Sequence, residues 1–167
     1  DAAQQAAATL GEGAIAVALD VTDQASIDAC VAEVERQFGG IDILINNAGA
    51  LFQHRTDTAD GFEATIATNL LGPIRLTNAL IDHLVAQPDA AIVNVTSGLA
   101  FVPLTTTPTY NATKAAIHSY TVAMREALKG KVEVIELAPP AVQTGLTPGQ
   151  ESRQGYLPLE TFADEVM

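Results

Sequence analysis

Residues 91–137 read AIVNVTSGLAFVPLTTTPTYNATKAAIHSYTVAMREALKGKVEVIEL. The stretch opens on the short apolar run AIVNV and stops at the small polar residues Thr96-Ser97-Gly98. A loop carrying Pro103 and Pro108 follows, and residues 109–128 then have helix-forming composition up to the stop at Gly130. A second β-branched run occupies residues 132–137. Strand, helix and strand in this order, with apolar runs that do not alternate, predict parallel strands buried under covering helices.

The pattern continues upstream. Residues 41–45 form another short apolar run, which ends at Asn46-Asn47-Ala48-Gly49. Between it and residue 91, Phe62, Ile66, Leu70, Ile74, Leu80 and Leu84 recur at helical spacing, so residues 58–85 predict one long helix or two, broken by Pro88-Asp89. Farther back, Ile27, Val31, Val34 and Phe38 mark a helix with Thr22 or Asp23 as N-cap and Gly39-Gly40 as its stop. Residues 14–19, with Ile15 and Val17, predict a strand, and the Ala/Gln-rich residues 1–10 before Gly11 and Gly13 predict the tail of a helix. The expected fold is α/β, a doubly wound parallel sheet, and 167 residues fit a single domain.

Composition removes several function classes. Hydrophobic residues make up 48% of the chain and charged residues 17%, and mean hydropathy is +0.21, too apolar for disorder. A formal net charge of −12 opposes a phosphate backbone and an anionic bilayer, so neither nucleic acid nor membrane is expected as a partner. No apolar run approaches the roughly 20 residues of a membrane span, and the opening residues lack a signal-peptide pattern. The single cysteine, Cys30, excludes an internal disulfide and a cysteine zinc site; it reads as a small mid-helix hydrophobe, and a reducing cytoplasm is the expected compartment. His54, His83 and His118 are scattered without metal-ligand spacing, so no metal is expected. They read as surface or packing residues, with His54 alone near enough to the Asn46–Gly49 turn to touch a substrate.

In open parallel sheets, ligands bind beyond the carboxyl ends of the strands. The residues at those ends are Asp20, Asn46 to Gly49, Thr96-Ser97 and Ala138-Pro139-Pro140. Tyr110 and Lys114 stand at i and i+4 at the start of a helix, which brings phenol and ammonium to one face. An ordinary tyrosine titrates near about 10, and a neighbouring ammonium favours the phenolate, so the pair suits proton transfer near neutrality. By itself the spacing also fits a surface pair on a solvated helix. Ser97 likewise fits a strand-end turn, Asn69 a helix boundary, and Asp20 a turn former.

Asn46-Asn47-Ala48-Gly49 after one strand, Ser97 after the next, and Tyr110-x-x-x-Lys114 thirteen residues later together resemble the short-chain dehydrogenase/reductase family. The likeness extends over residues 14–144, and residues 99–120 resemble its bacterial oxidoreductase members. The resemblance implies a Rossmann-type three-layer sandwich, NAD or NADP as cofactor, and hydride transfer to or from a small-molecule alcohol/carbonyl substrate. It implies Tyr110 as general acid/base, Ser97 polarising the substrate oxygen, Lys114 lowering the tyrosine pKa and bonding the nicotinamide ribose, and Asn69 holding a relay water. For the cofactor it implies Asp20 and Val21 near the adenine, Asn46, Asn47, Ala48 and Gly49 along the adenosine, and Pro139, Val142 and Thr144 at the nicotinamide. Pro140 stands where the family has glycine and stiffens that turn.

Residues 1–167 contain no glycine-rich turn of the kind that cradles a pyrophosphate. The expectation is therefore one partial domain, incomplete at both ends, belonging to a longer protein, with residues 145–167 as substrate lid. The polypeptide by itself is expected to bind a dinucleotide negligibly. Alternatives are a nucleotide-sugar epimerase or dehydratase, which also uses Tyr-x-x-x-Lys, and a non-catalytic nucleotide-sensing module. Leu71, Leu76, Ile117 and Ala123 put apolar groups on more than one helix face, and a homodimer or homotetramer is expected through them.

Overall fold

The computed structural model describes residues 2–51 and 59–166. Helix α1 (Ala2–Leu10) buries no residue. Helix α2 (Gln24–Phe38) starts where the Asp23 carboxylate accepts from the Ala25 amide, and it stops at Gly39, whose φ of 76° turns its N–H back to the Glu35 carbonyl. Strand β1 (Ile43–Asn46) follows. Helix α3 (Ala59–Ile66) passes through a π-helical turn, Ala67–Leu71, into helix α4 (Gly72–Ala86). Strand β2 (Ala91–Val95), helix α5 (Pro108–Ala127) and strand β3 (Glu133–Leu137) complete the sheet, and helix α6 (Leu159–Val166) lies beyond it. The three strands are parallel, in the order β1-β2-β3. The α/β fold with a parallel sheet is as the sequence predicts.

Register decides what each face carries. Leu44, Ile92 and Val134 are direct neighbours across the sheet. They pack against Ile27 of α2, Leu76, Leu80 and Leu84 of α4, and Leu128 after α5. Burying each such side chain contributes about 1.5–3 kcal/mol, so this layer holds helices and sheet together. Two residues farther along each strand, the same face carries Asn46, Asn94 and Glu136 in one row. Asn46 Nδ2 donates to Asn94 Oδ1 at 2.9 Å and Thr77 Oγ1 at 3.0 Å, and Asn94 Nδ2 donates to Thr121 Oγ1 at 2.9 Å. The core thus turns polar at the carboxyl ends of the strands, where each buried amide has its partner.

Three expectations are corrected. Residues 14–19 form no strand: among the described residues no neighbouring strand offers them a hydrogen-bond ladder, and Ile15 and Leu19 stay 39% and 41% exposed. Among the described residues the sheet is covered on one face, and Ile45 on the other face is 60% exposed. Leu76 and Ile117 belong to the core, whereas Leu71 and Ala123 remain on the surface. His83, read from the sequence as a surface or packing residue, packs: Nε2 accepts from the Ile41 amide at 2.9 Å, and a Cβ on Gly40 would fall 1.8 Å from its ring. Cys30 is half-buried in α2.

No described helix is long and apolar enough to cross a membrane, and no described group of three acidic, histidine or cysteine side chains could hold a metal.

Candidate active site

The carboxyl ends of the three strands open into a cleft of about 510 Å³. Asn47, Ala48 and Gly49 reach it after β1, Thr96 and Ser97 after β2, and Pro139, Pro140, Val142 and Thr144 after β3. Tyr110 and Lys114 enter from the first turns of α5, and Leu146, Gln150, Leu159 and Phe162 close the far side.

Helix α5 can present both functional groups because Pro108 occupies its first turn and Thr107 precedes it as the cap residue. Asn111 braces that start by donating to the Leu104 carbonyl at 2.7 Å and accepting from Thr107 Oγ1 at 3.1 Å. Lys114 is 5% exposed, and its Nζ donates to the Val95 carbonyl at 2.8 Å while lying 5.6 Å from the Tyr110 ring centroid. Burial draws its pKa down to about 8. Tyr110 is 8% exposed; burial pushes its phenol above the usual value, and a hydrogen bond with the Ser97 side chain opposes that rise. Desolvation is the largest influence on the Tyr110 phenol. Ser97 Oγ also accepts from the Leu99 amide at 3.2 Å, which leaves its own O–H to donate.

Asn69, in the π-helical turn, is 1% exposed and stands behind the cleft. Its Oδ1 accepts from the Ala50 amide at 2.7 Å and its Nδ2 donates to the Ala50 carbonyl at 2.8 Å, with Thr113 Oγ1 at 3.3 Å. The side chain therefore clasps the segment after Gly49 to α5. Asp20, Val21 and Asn46 do not line the cleft either. Asp20 is exposed, and its Oδ1 accepts from the Thr22 amide and hydroxyl, which lowers its pKa. Val21 packs so tightly on α4 that a Cβ on Gly72 would lie 2.8 Å from its Cγ2. Asn46 belongs to the polar row described above. His54 lies outside the described residues.

The cleft has room for a polar ligand beside Lys114. A Cβ on Gly49 would sit at 3.9 Å from Lys114 Nζ and 3.8 Å from Asn69 Oδ1, both ordinary contacts. Protein packing does not demand glycine there, and its missing side chain leaves room beside an ammonium with two N–H groups still to place.

Sequence reasoning did not single out Gln150, Leu159 or Phe162. Gln150 Nε2 donates to the Val142 carbonyl at 2.8 Å and Thr144 Oγ1 at 3.1 Å, fixing the turn after β3. Leu159 and Phe162 stand three residues apart on α6, an apolar pair with Glu160 and Asp164 on the opposite side. That spacing was readable, although one two-turn helix is a weak signal.

Comparison with known proteins agrees with this geometry. Residues 1–155 match the family described as short chain dehydrogenase. The chain is 41% identical over 143 residues to the uncharacterized oxidoreductase DltE of Bacillus subtilis, covering 81% of this chain and 56% of that protein. Among solved structures it resembles a 3-ketoacyl-(acyl-carrier-protein) reductase from Brucella melitensis complexed with NADH, at 32% identity and TM-score 0.79, covering 86% of this chain and 62% of that one. It also resembles a gluconate 5-dehydrogenase from Burkholderia cenocepacia in complex with NADP and tartrate, at 26% identity and TM-score 0.79, covering 92% and 62%. The chain thus spans under two thirds of the length of each of these three. With the match running over most of its residues and the strand-end cleft in place, the chain belongs to the short chain dehydrogenase family.

Proposed function

We propose that the protein is an oxidoreductase that interconverts an alcohol and a carbonyl compound with NAD or NADP, using Tyr110 as general acid/base. The observation that carries this reading is that Ser97, Tyr110 and the buried Lys114 ammonium line one strand-end cleft. The cofactors in the related Brucella and Burkholderia structures support the dinucleotide.

In the direction of reduction, the substrate oxygen accepts from the Ser97 and Tyr110 hydroxyls. A dinucleotide held beside Lys114 would supply the hydride to the carbonyl carbon. As negative charge grows on the oxygen, Tyr110 gives up its proton to it, which completes the alcohol. The Lys114 ammonium then stabilises the phenolate left behind, an interaction strengthened by its burial. Lys114 also has N–H groups for the ribose, and Val142 and Thr144 form the wall for the carboxamide. Asn69 acts by holding Ala50, and residues 145–167 act as the lid over the substrate.

The test is transfer of deuterium from 4-deuterated NADH and NADPH to a panel of ketones and aldehydes by the intact protein. Deuterium on the carbinol carbon of one product supports the reading; no transfer to any member of the panel overturns it.

A further inference from the structure

Glu136 is a largely buried carboxylate that the mechanism above does not use. Its side chain is 13% exposed at the end of β3, where a charge without partners costs several kcal/mol. Both oxygens are engaged: Oε1 accepts from Thr96 Oγ1 at 2.7 Å, and Oε2 lies 2.8 Å from His118 Nδ1. Packing alone would be served as well by an apolar residue, so the carboxylate calls for a reason.

The reason lies in what its two partners adjoin. Thr96 immediately precedes Ser97. His118 is four residues beyond Lys114 and eight beyond Tyr110, on the same face of α5. Its ring meets the Phe101 ring edge-on at a centroid distance of 4.7 Å, and Phe101 ends the short 3-10 turn Gly98–Ala100 that Ser97 caps. The segment is thus fastened before Ser97 through Thr96 and after it through Phe101, both times to the Glu136–His118 pair. Three successive residues of the β2 end adjoin one face of α5. Val95 meets Lys114 directly, Thr96 meets His118 through Glu136, and Ser97 lines the same cleft as Tyr110.

We propose that Glu136 and His118 are positioning residues that hold the Ser97 hydroxyl against Tyr110, a role that rests on the assignment of Ser97 and Tyr110 as the acid/base pair. Without the pair, the backbone bonds from Thr96 N to Leu137 O at 2.8 Å and Gly98 N to Pro139 O at 3.1 Å still attach the segment to β3. Those bonds fix it relative to the sheet and not relative to α5, so the sheet survives while the Ser97–Tyr110 spacing relaxes.

The test reads that spacing directly and then through turnover, in the intact protein. With tyrosine labelled at Cζ, the Tyr110 carbon resonance, assigned with Tyr110→Phe, reports the Ser97 hydrogen bond, while Tyr120 and Tyr156 report the fold. Glu136→Val is expected to move the Tyr110 line in the direction that Ser97→Ala moves it, with the other two lines unmoved. Glu136→Gln keeps an acceptor for Thr96 and offers a donor to His118, and it should restore the parental line. Turnover should fall at least about tenfold in Glu136→Val at unchanged cofactor affinity and recover in Glu136→Gln. Should Glu136→Val fail to fold, His118→Asn carries the same comparison. A Tyr110 line that stays at its parental position in the valine variant, or in His118→Asn where that stands in, while Ser97→Ala moves it, overturns the proposal. If the parent itself turns over no carbonyl, the proposed function falls, and the resonance comparison still decides the positioning role.

Discussion

Lys114 and Val95 are joined by a 2.8 Å hydrogen bond from the Lys114 ammonium to the Val95 carbonyl, so the cation next to Tyr110 is anchored to the sheet. An anchored, buried ammonium keeps its place whatever fills the cleft. Burial also brings its pKa down to about 8 from the ordinary 10.5. The folded chain therefore binds fewer protons than the unfolded chain between these values, and stability rises with pH across that window as the penalty for burying the charge is relieved. Lys114→Met removes the penalty at every pH. Its urea midpoint relative to the parent should be highest at pH about 7 and should lose ground at pH about 9.5. An equal difference at both pH values would contradict the burial account.

Gly72 and Val21 give a steric prediction. In the helix beginning at Gly72, alanine would ordinarily gain about 0.5–1 kcal/mol over glycine. Here the added Cβ would lie 2.8 Å from Val21 Cγ2, so Gly72→Ala should destabilise the fold by about 1–3 kcal/mol. Val21→Ala in the same chain should return part of that loss. Denaturant unfolding of the two single variants and the double variant measures it, and a stabilised Gly72→Ala would show that Val21 packs elsewhere.

Phe162 and Leu159 make an apolar wall facing Ser97 and Tyr110 across the cleft. Phe162→Ser should raise KM for carbonyl substrates with longer alkyl arms by about 1–3 kcal/mol worth of binding, and leave the dinucleotide Kd alone. A raised cofactor Kd with unchanged substrate KM would assign α6 to the cofactor.

Val122 on α5 and Leu71 before α4 are 48% and 38% exposed, apolar side chains on the surface of two helices. Self-association through these helices should be weakened by Val122→Glu, measured by sedimentation at micromolar concentration. A parent that is monomeric under those conditions would remove the expected homodimer or homotetramer.

Local chemistry was legible in the sequence, and long-range pairing was not. Asp23 and Gly39 announce the ends of α2 because capping and a left-handed φ are properties of single residues. The runs at 91–95 and 132–137 announce strands because β-branched residues between glycine, proline and polar stops have few other uses. Residues 14–19 carry the same signal and form no strand, since a ladder needs a neighbour and composition cannot supply one. Ser97, Tyr110 and Lys114 were found through their spacing, and the fold brings them into one cleft. Glu136 and His118 were not, because eighteen residues separate them and nothing in a β-strand's apolar pattern marks which glutamate turns inward. Asn69 shows the same limit, since its two bonds to Ala50 are invisible without the fold.

The central claim is that the Tyr110 oxygen carries the proton. Tyr110→Phe keeps the ring and removes only that oxygen. In the intact protein, turnover of the carbonyl substrate should fall by about 10²–10⁴-fold while the NADH or NADPH Kd stays within about twofold. Near-parental turnover in Tyr110→Phe at saturating cofactor would contradict the account.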